Sequence, residues 1–148
     1  MKTNKQKRKN ITISFLKQIL LEHNINPTVQ RIEILKYLYE KKKHPTIDMI
    51  FKDLRKKIPT LSKTTIYNTL KMFHKNGLAF IFSDDEAILR YDAAIEQHAH
   101  FKCIRCGKIF DLPYPENILE KGQQIGKVFY TNLIYEGICS ECQKKIKR

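Results

Sequence analysis

Residues 98–107 read HAHFKCIRCG, two imidazoles and two thiols within nine positions. A second thiol pair, Cys139 and Cys142 in CSEC, brings the chain to four cysteines, arranged as two C-x-x-C knuckles. Two such knuckles fill the four positions of a closed tetrahedral zinc site and leave none open for water. Gly107 and Lys108 follow the first knuckle and Lys144 and Lys145 the second; the lysines partly offset the double negative charge of a four-thiolate zinc. Two disulfides, or a thiol redox motif, are the other uses of paired cysteines. The basic MKTNKQKRKN start leads into LKQILLEH, which lacks the uninterrupted apolar run of a secretory leader, so a cytoplasmic chain with reduced thiols is expected. That favours structural zinc on Cys103, Cys106, Cys139 and Cys142.

The histidines need other partners. His98–Cys103 is rich in residues that suit a strand, where side chains alternate between faces. His98 and His100 then point to one side, Phe101 and Cys103 to the other, so the imidazoles and thiols diverge. Asp92 at the end of ILRYD, Asp111 on a neighbouring strand-like stretch and His44 before Pro45 are the candidate companions. Three imidazoles and two carboxylates make a nitrogen and oxygen donor set, suited to Fe(II) or Mn(II) and lacking the thiolates that favour zinc or Cu(I).

The elements that must position these groups divide in two. A chain of 148 residues, 42% hydrophobic and without a long apolar run, makes one or two small domains and no membrane span. Its net charge of +13 is uneven: residues 1–78 hold 18 Lys/Arg against 5 Asp/Glu, residues 79–97 hold 1 against 5, and residues 98–148 hold 9 against 5. A field concentrated in the first half attracts a polyanion.

That half shows four helical patterns. The first carries a stripe of Phe15, Leu16, Ile19 and Leu20 and ends near Asn24-Ile25-Asn26-Pro27. The second is capped by Thr28 and faces Ile32, Leu35 and Leu38 inward until the lysine run 41–43. The third is capped by Thr46, repeats Ile47, Ile50, Phe51, Leu54 and Ile58 at helical spacing, and stops at Pro59. In the fourth, SKTTIYNTLKMFHKNGL, Ser62 caps, Gly77 closes and Ile66, Leu70 and Phe73 face a core. Its opposite face bears Thr64, Tyr67, Asn68, Lys71 and Lys75 and no acid, which suits a recognition helix in a major groove. Tyr67 and Asn68 could touch base edges, with Lys63, Lys71 and Lys75 on phosphates; Arg31 on the second helix joins these candidate DNA contacts.

AFIFS and ILRYD flank the acidic DDEA as strand, turn and strand, so helices plus hairpin make a winged helix over residues 1–93. AAIEQ leads to the histidines, with a hinge at 94–97. Residues 98–148 offer strands over His98–Cys103, Lys108–Leu112 and Lys127–Tyr135, a helix near Glu116–Gln124 and a short helix after Cys139. So small a unit lacks a generous core and gains from a zinc staple and from burial against a second copy. Dimerisation also lets two recognition helices read half-sites of an inverted repeat about one DNA turn apart. The expected class is α+β: an N-terminal winged-helix DNA-binding domain and a small C-terminal α/β dimerisation domain with a four-cysteine zinc site.

The stretches NPTVQRIEIL, HPTIDMIFKDL, LSKTTIYNTLKMFHKNGL, RYD, HAHFKCIRCGKIFDL and GICSEC together resemble the ferric uptake regulator (Fur) family and, within it, the peroxide-responsive (PerR-like) branch. The resemblance spans nearly the whole chain. It implies zinc on the four cysteines, regulatory Fe(II) or Mn(II) on His44, Asp92, His98, His100 and Asp111, and a repressor that binds an operator duplex as a homodimer. It also implies that peroxide acts through oxidation of His44 or His98, which releases the ion and the genes for oxidative stress and metal homeostasis. Asp111 and Tyr67-Asn68 fit this branch. Ala99, Thr131 and Asn132 stand where relatives often carry ligands of a further metal site, and Glu136 departs from the usual Tyr-Gly-x-Cys. The alternative is an iron- or manganese-responsive uptake repressor without peroxide chemistry. No nucleophile and base pair or phosphate-binding glycine loop points to an enzyme, and no small-molecule substrate other than peroxide is expected.

Overall fold

A computed structural model describes residues 11–41, 44–83, 86–93, 97–128 and 131–146. The basic N-terminal stretch, two of the three lysines at 41–43, the first two residues of DDEA and residues 94–96 of the expected hinge lie outside them.

Four helices open the chain: α1 (Ile13–Glu22), α2 (Val29–Glu40), α3 (Ile47–Leu54) and α4 (Lys63–Lys75). Each begins on a hydroxyl side chain. Thr12, Thr28, Thr46 and Ser62 accept the backbone N–H three residues on, from Phe15, Arg31, Met49 and Thr65. Those bonds satisfy donors that a helix start leaves orphaned, worth about 1 kcal/mol each. Helix α4 ends in a paired closure, with Leu78 N–H on the Phe73 carbonyl at 2.7 Å and Gly77 N–H on that of His74 at 3.1 Å. This closure holds Gly77 at φ 74, where a glycine has no Cβ to clash.

The helices bury Leu16, Leu20, Ile34, Leu35, Ile50, Ile66, Leu70 and Phe73 in one core. Two sequence expectations shift here. Phe15, counted in the α1 stripe, is exposed, because it precedes the buried Leu16 by one residue and so stands off the spine by about 100°. Helix α3 stops at Leu54, not at Pro59; Ile58 packs on the core from the following turn, its N–H bonded to the Leu54 carbonyl.

An antiparallel hairpin, β1 (Ala79–Ser83) and β2 (Leu89–Ala93), follows α4 as the wing. Its two faces differ. Ala79, Ile81, Tyr91 and Ala93 pack on the helical core. Phe80 and Phe82 stand opposite Asp92 and Arg90 in the register and share the other face.

The second sheet has the order β4-β3-β5, with β3 (His98–Cys103) antiparallel to β4 (Ile109–Pro113) and parallel to β5 (Ile134–Gly137). Strand β5 is later than the expected Lys127–Tyr135. Residues 129–130 lie outside the described residues, and 131–133 are not strand. Glu136 lies level with Lys102 in the β3–β5 register, opposite charges on neighbouring strands. Helices α5 (Ile118–Gln123) and α6 (Ser140–Ile146) complete the α+β chain. The buried centre of this half is Cys103, Cys139 and Cys142, with Phe101 and Ile138 against them.

Candidate metal centres and nucleic-acid interface

The two knuckles converge. One sulfur from each of Cys103, Cys106, Cys139 and Cys142 lies within 4.8 Å of all the others, and none of the four is in a disulfide. Zinc–sulfur bonds of about 2.3 Å put the sulfurs of a tetrahedron about 3.8 Å apart; Cys106 and Cys139 stand 3.9 Å apart. The donor set and its spacing fit zinc. Gly107, at φ 71, closes the first knuckle by donating to the Cys103 carbonyl, and Ile104 N–H ties it to the Gly137 carbonyl beside the second. The Cys139 N–H, 3.3 Å from Cys103 Sγ, lowers that thiol to about 6 against the opposing effect of burial, with further N–H groups of Cys106 and Arg105 helping. Burial first, then the neighbouring thiols, pushes Cys142 up to about 12.

The second cluster gathers residues far apart in sequence. His98 Nε2 and His100 Nε2 lie 2.8 and 2.9 Å from the same Asp92 Oδ2. His44 Nε2 is 3.2 Å from Asp111 Oδ1 and 3.6 Å from Asp92 Oδ2. His100 and His98 lie 3.5 and 3.8 Å from Asp111 Oδ1. One donor atom from each of His44, Asp92, His100 and Asp111 lies within 4.8 Å of all the others, a nitrogen and oxygen set that could hold one cation of the Fe(II) or Mn(II) type; His98 stands outside that group of four and joins it through Asp92 Oδ2. His100 is fully buried and its Nδ1 has no hydrogen-bond partner; its ring is engaged through Nε2 at the cluster.

Local structure explains each placement. Strand alternation sends His98 and His100 to one face of β3 and Cys103 to the other, and Asp111 stands opposite His100 on β4. Asp92 comes from the hairpin. His44 comes from the connection ahead of α3 and holds a left-handed backbone, φ 49, a conformation that costs a non-glycine residue about 1–3 kcal/mol. Burial works against a charged His44 imidazole, but the Asp111 and Asp92 carboxylates outweigh it and raise its pKa to about 9. Burial likewise opposes ionised Asp92, and contacts from His100, His44 and His98 hold it well below the usual carboxylate range.

Three neighbours of the cluster were not singled out from the sequence. Phe82 and Phe80 meet His100 edge-on with ring centroids 4.4 and 5.0 Å apart, and Phe80 meets His98 at 5.3 Å. They form an apolar wall that limits water around the ligands. Arg90 donates to the His44 carbonyl at 3.2 Å. The signal was the two-residue alternation of AFIFS and LRYD, which puts all three on the Asp92 face.

Thr64, Tyr67, Asn68, Lys71 and Lys75 all line the solvent side of α4. Lys63 Nζ pairs with Asp48 of α3 at 2.7 Å, an exposed contact of small energetic weight. Arg31 donates to the Asn26 carbonyl at 2.8 Å and, with Thr28, Thr65, Asn68 and Met72, lines a cleft of about 480 Å³ between the start of α2 and α4. Among the described residues no helix is long and apolar enough to cross a membrane.

A hairpin beside a helical core, a thiol cluster and a nitrogen and oxygen cluster define a metal-binding regulator class, and residues 22–133 match the Ferric uptake regulator family. The chain belongs to that family. It is 37% identical over 134 residues to the "Peroxide operon regulator" of Bacillus subtilis (strain 168), covering 86% of this chain and 91% of that one. It is 35% identical over 130 residues to the "Peroxide-responsive repressor PerR" of Staphylococcus aureus (strain NCTC 8325 / PS 47), covering 85% and 88%. The crystal structure of the Campylobacter jejuni peroxide stress regulator superposes with a TM-score of 0.62 at 26% identity, over 89% of this chain and 99% of that one.

Proposed function

We propose that this chain is a cytoplasmic, metal-dependent transcriptional repressor that senses hydrogen peroxide by oxidation of a histidine ligand. In this reading residues 1–93 bind DNA, 94–97 form a hinge and 98–148 dimerise. The observation that carries it is the meeting of His44 and Asp92, from the helices and wing, with His100 and Asp111, from the second sheet, and with His98 beside them on Asp92. The relatives named as peroxide regulators support the same reading.

Cys103, Cys106, Cys139 and Cys142 hold structural zinc and fasten the second sheet. The five nitrogen and oxygen ligands grip an exchangeable ion and so fix the wing and helices relative to that sheet. A ligand shifts such an equilibrium only by its differential affinity, typically about 1–3 kcal/mol. In the gripped arrangement two copies present α4, with Lys63, Thr64, Tyr67, Asn68 and Lys71 and the nearby Arg31, to half-sites of an operator. Bound Fe(II) supplies the one-electron reduction of peroxide, which Mn(II) does not.

His44 and His98 are the oxidation targets. Asp111 has the most exposed side chain of the five and His98 the next, 39% and 22%, whereas His100 is sealed behind Phe80 and Phe82. A small oxidant therefore enters beside Asp111 and His98. The net change converts an imidazole C–H and one peroxide to an oxidised imidazole and one water, the peroxide taking up both electrons that the ring loses; the oxidised ring is a poor ligand, the grip opens and the operator is released. Mass spectrometry of the iron-loaded protein after dilute peroxide is expected to show one added oxygen on His44 or His98. Unmodified histidines with oxidised cysteines alone would replace this mechanism with a thiol switch.

A further inference from the structure

Of the five ligands of the exchangeable site, four stand on strands: Asp92 on β2, His98 and His100 on β3, Asp111 on β4. Their ladders fix their backbones. His44 stands instead on the connection between α2 and α3, in a left-handed conformation at φ 49. Pro45 restricts its backbone further. A non-glycine residue keeps such a conformation only where its surroundings enforce it.

Two contacts from β2 do so. The Tyr91 N–H donates to the Pro45 carbonyl at 3.0 Å, a backbone bond that any residue but proline could make at that position. The Arg90 guanidinium donates to the His44 carbonyl at 3.2 Å, which requires a long side chain with a donor at its end. Arg90 and Asp92 are two apart on β2 and share a face, and Phe82, opposite Arg90, meets the His44 ring edge-on at 5.8 Å. The strand that supplies one ligand thus also grips the backbone of another.

We propose that Arg90 is a positioning residue for the exchangeable-metal site, pinning the His44 carbonyl to β2 so that the imidazole stands within reach of Asp92 and Asp111. The inference rests on the reading of His44 as a ligand. Without the pin the His44–Pro45 connection relaxes toward ordinary φ values and the imidazole leaves the cluster. The thiolate zinc, on the far face of β3, is untouched. Thr46, two residues on, caps α3, so the same pin also sets where α3 begins.

The test uses the zinc-loaded full-length protein with Mn(II) as the probe, titrated by calorimetry, in wild type, R90Q, R90K, H44A and the H44A/R90Q double variant. R90Q is expected to bind Mn(II) about 10- to 100-fold more weakly, the range for outer-shell residues that orient a ligand. Zinc content is expected to hold in every variant, and R90K to recover most of the loss because its ammonium reaches the same carbonyl. In the H44A background R90Q is expected to add nothing, since its effect passes through His44. R90Q at wild-type affinity beside a crippled H44A would sink the pinning role alone, as would a full additive loss in the double variant. H44A at wild-type affinity would overturn the ligand assignment itself, and the pin with it.

Discussion

His98 and Cys103 stand five positions apart on one strand and serve different centres, because an odd spacing in a strand sends two side chains to opposite faces. The histidine lies 2.8 Å from Asp92, and the cysteine is buried among the other thiols. That separation makes their losses separable. His98→Ala is expected to abolish metal-dependent operator binding, measured by fluorescence anisotropy with Mn(II), while zinc content by elemental analysis stays at one per chain. Loss of both metals together would contradict two independent centres. Residue types and spacing singled out the four cysteines and the His44, Asp92, His100 and Asp111 that the fold brings together, and also His98, which stands outside that group of four but bonds to Asp92. Arg90, Phe80 and Phe82 escaped notice, because an arginine or phenylalanine in a strand has no chemistry of its own until its neighbours are known.

Helix α4 is the element on which the proposed DNA reading depends. Ser62 starts it, Gly77 ends it, and Ile66, Leu70 and Phe73 hold its inner face in the core, so Thr64, Tyr67, Asn68, Lys71 and Lys75 are turned to solvent. Lys71→Ala is expected to weaken binding equally for all sequences and to reduce the salt dependence by about one counterion. Asn68→Ala is instead expected to relax discrimination at one base pair by about 1–3 kcal/mol and to leave the salt slope alone. A panel of operator variants titrated across salt concentrations separates the two. Elements with strong local signals, such as caps and helical period, were readable along the chain. The end of α3 and the start of β5 were not. Leu54 closes its helix although apolar spacing continues to Ile58, and only pairing with β3 decides which residues after Lys127 become strand.

At the scale of the molecule, the two clusters are placed differently: the sulfurs gather within one half, and the nitrogen and oxygen donors come from both halves, so in the proposed function they do two jobs. A mild chelator is expected to lower operator affinity about 5- to 150-fold, reversibly with added Mn(II), while circular dichroism stays unchanged. Removing zinc under acid with a strong chelator is expected to unfold residues 98–148 first, seen as lost amide protection in hydrogen exchange, because that half has little core beyond its cysteines.

The linear chain was enough to single out the candidate donors, the basic first half and the helix with a polar, solvent-facing side, since composition, period and spacing are local properties. It could not say that residue 44 reaches residue 111, nor that β2 holds the backbone of His44 while presenting Asp92. Those contacts arise when the wing packs its second face on β3 and β4, and a long-range encounter leaves no period in the residues that make it.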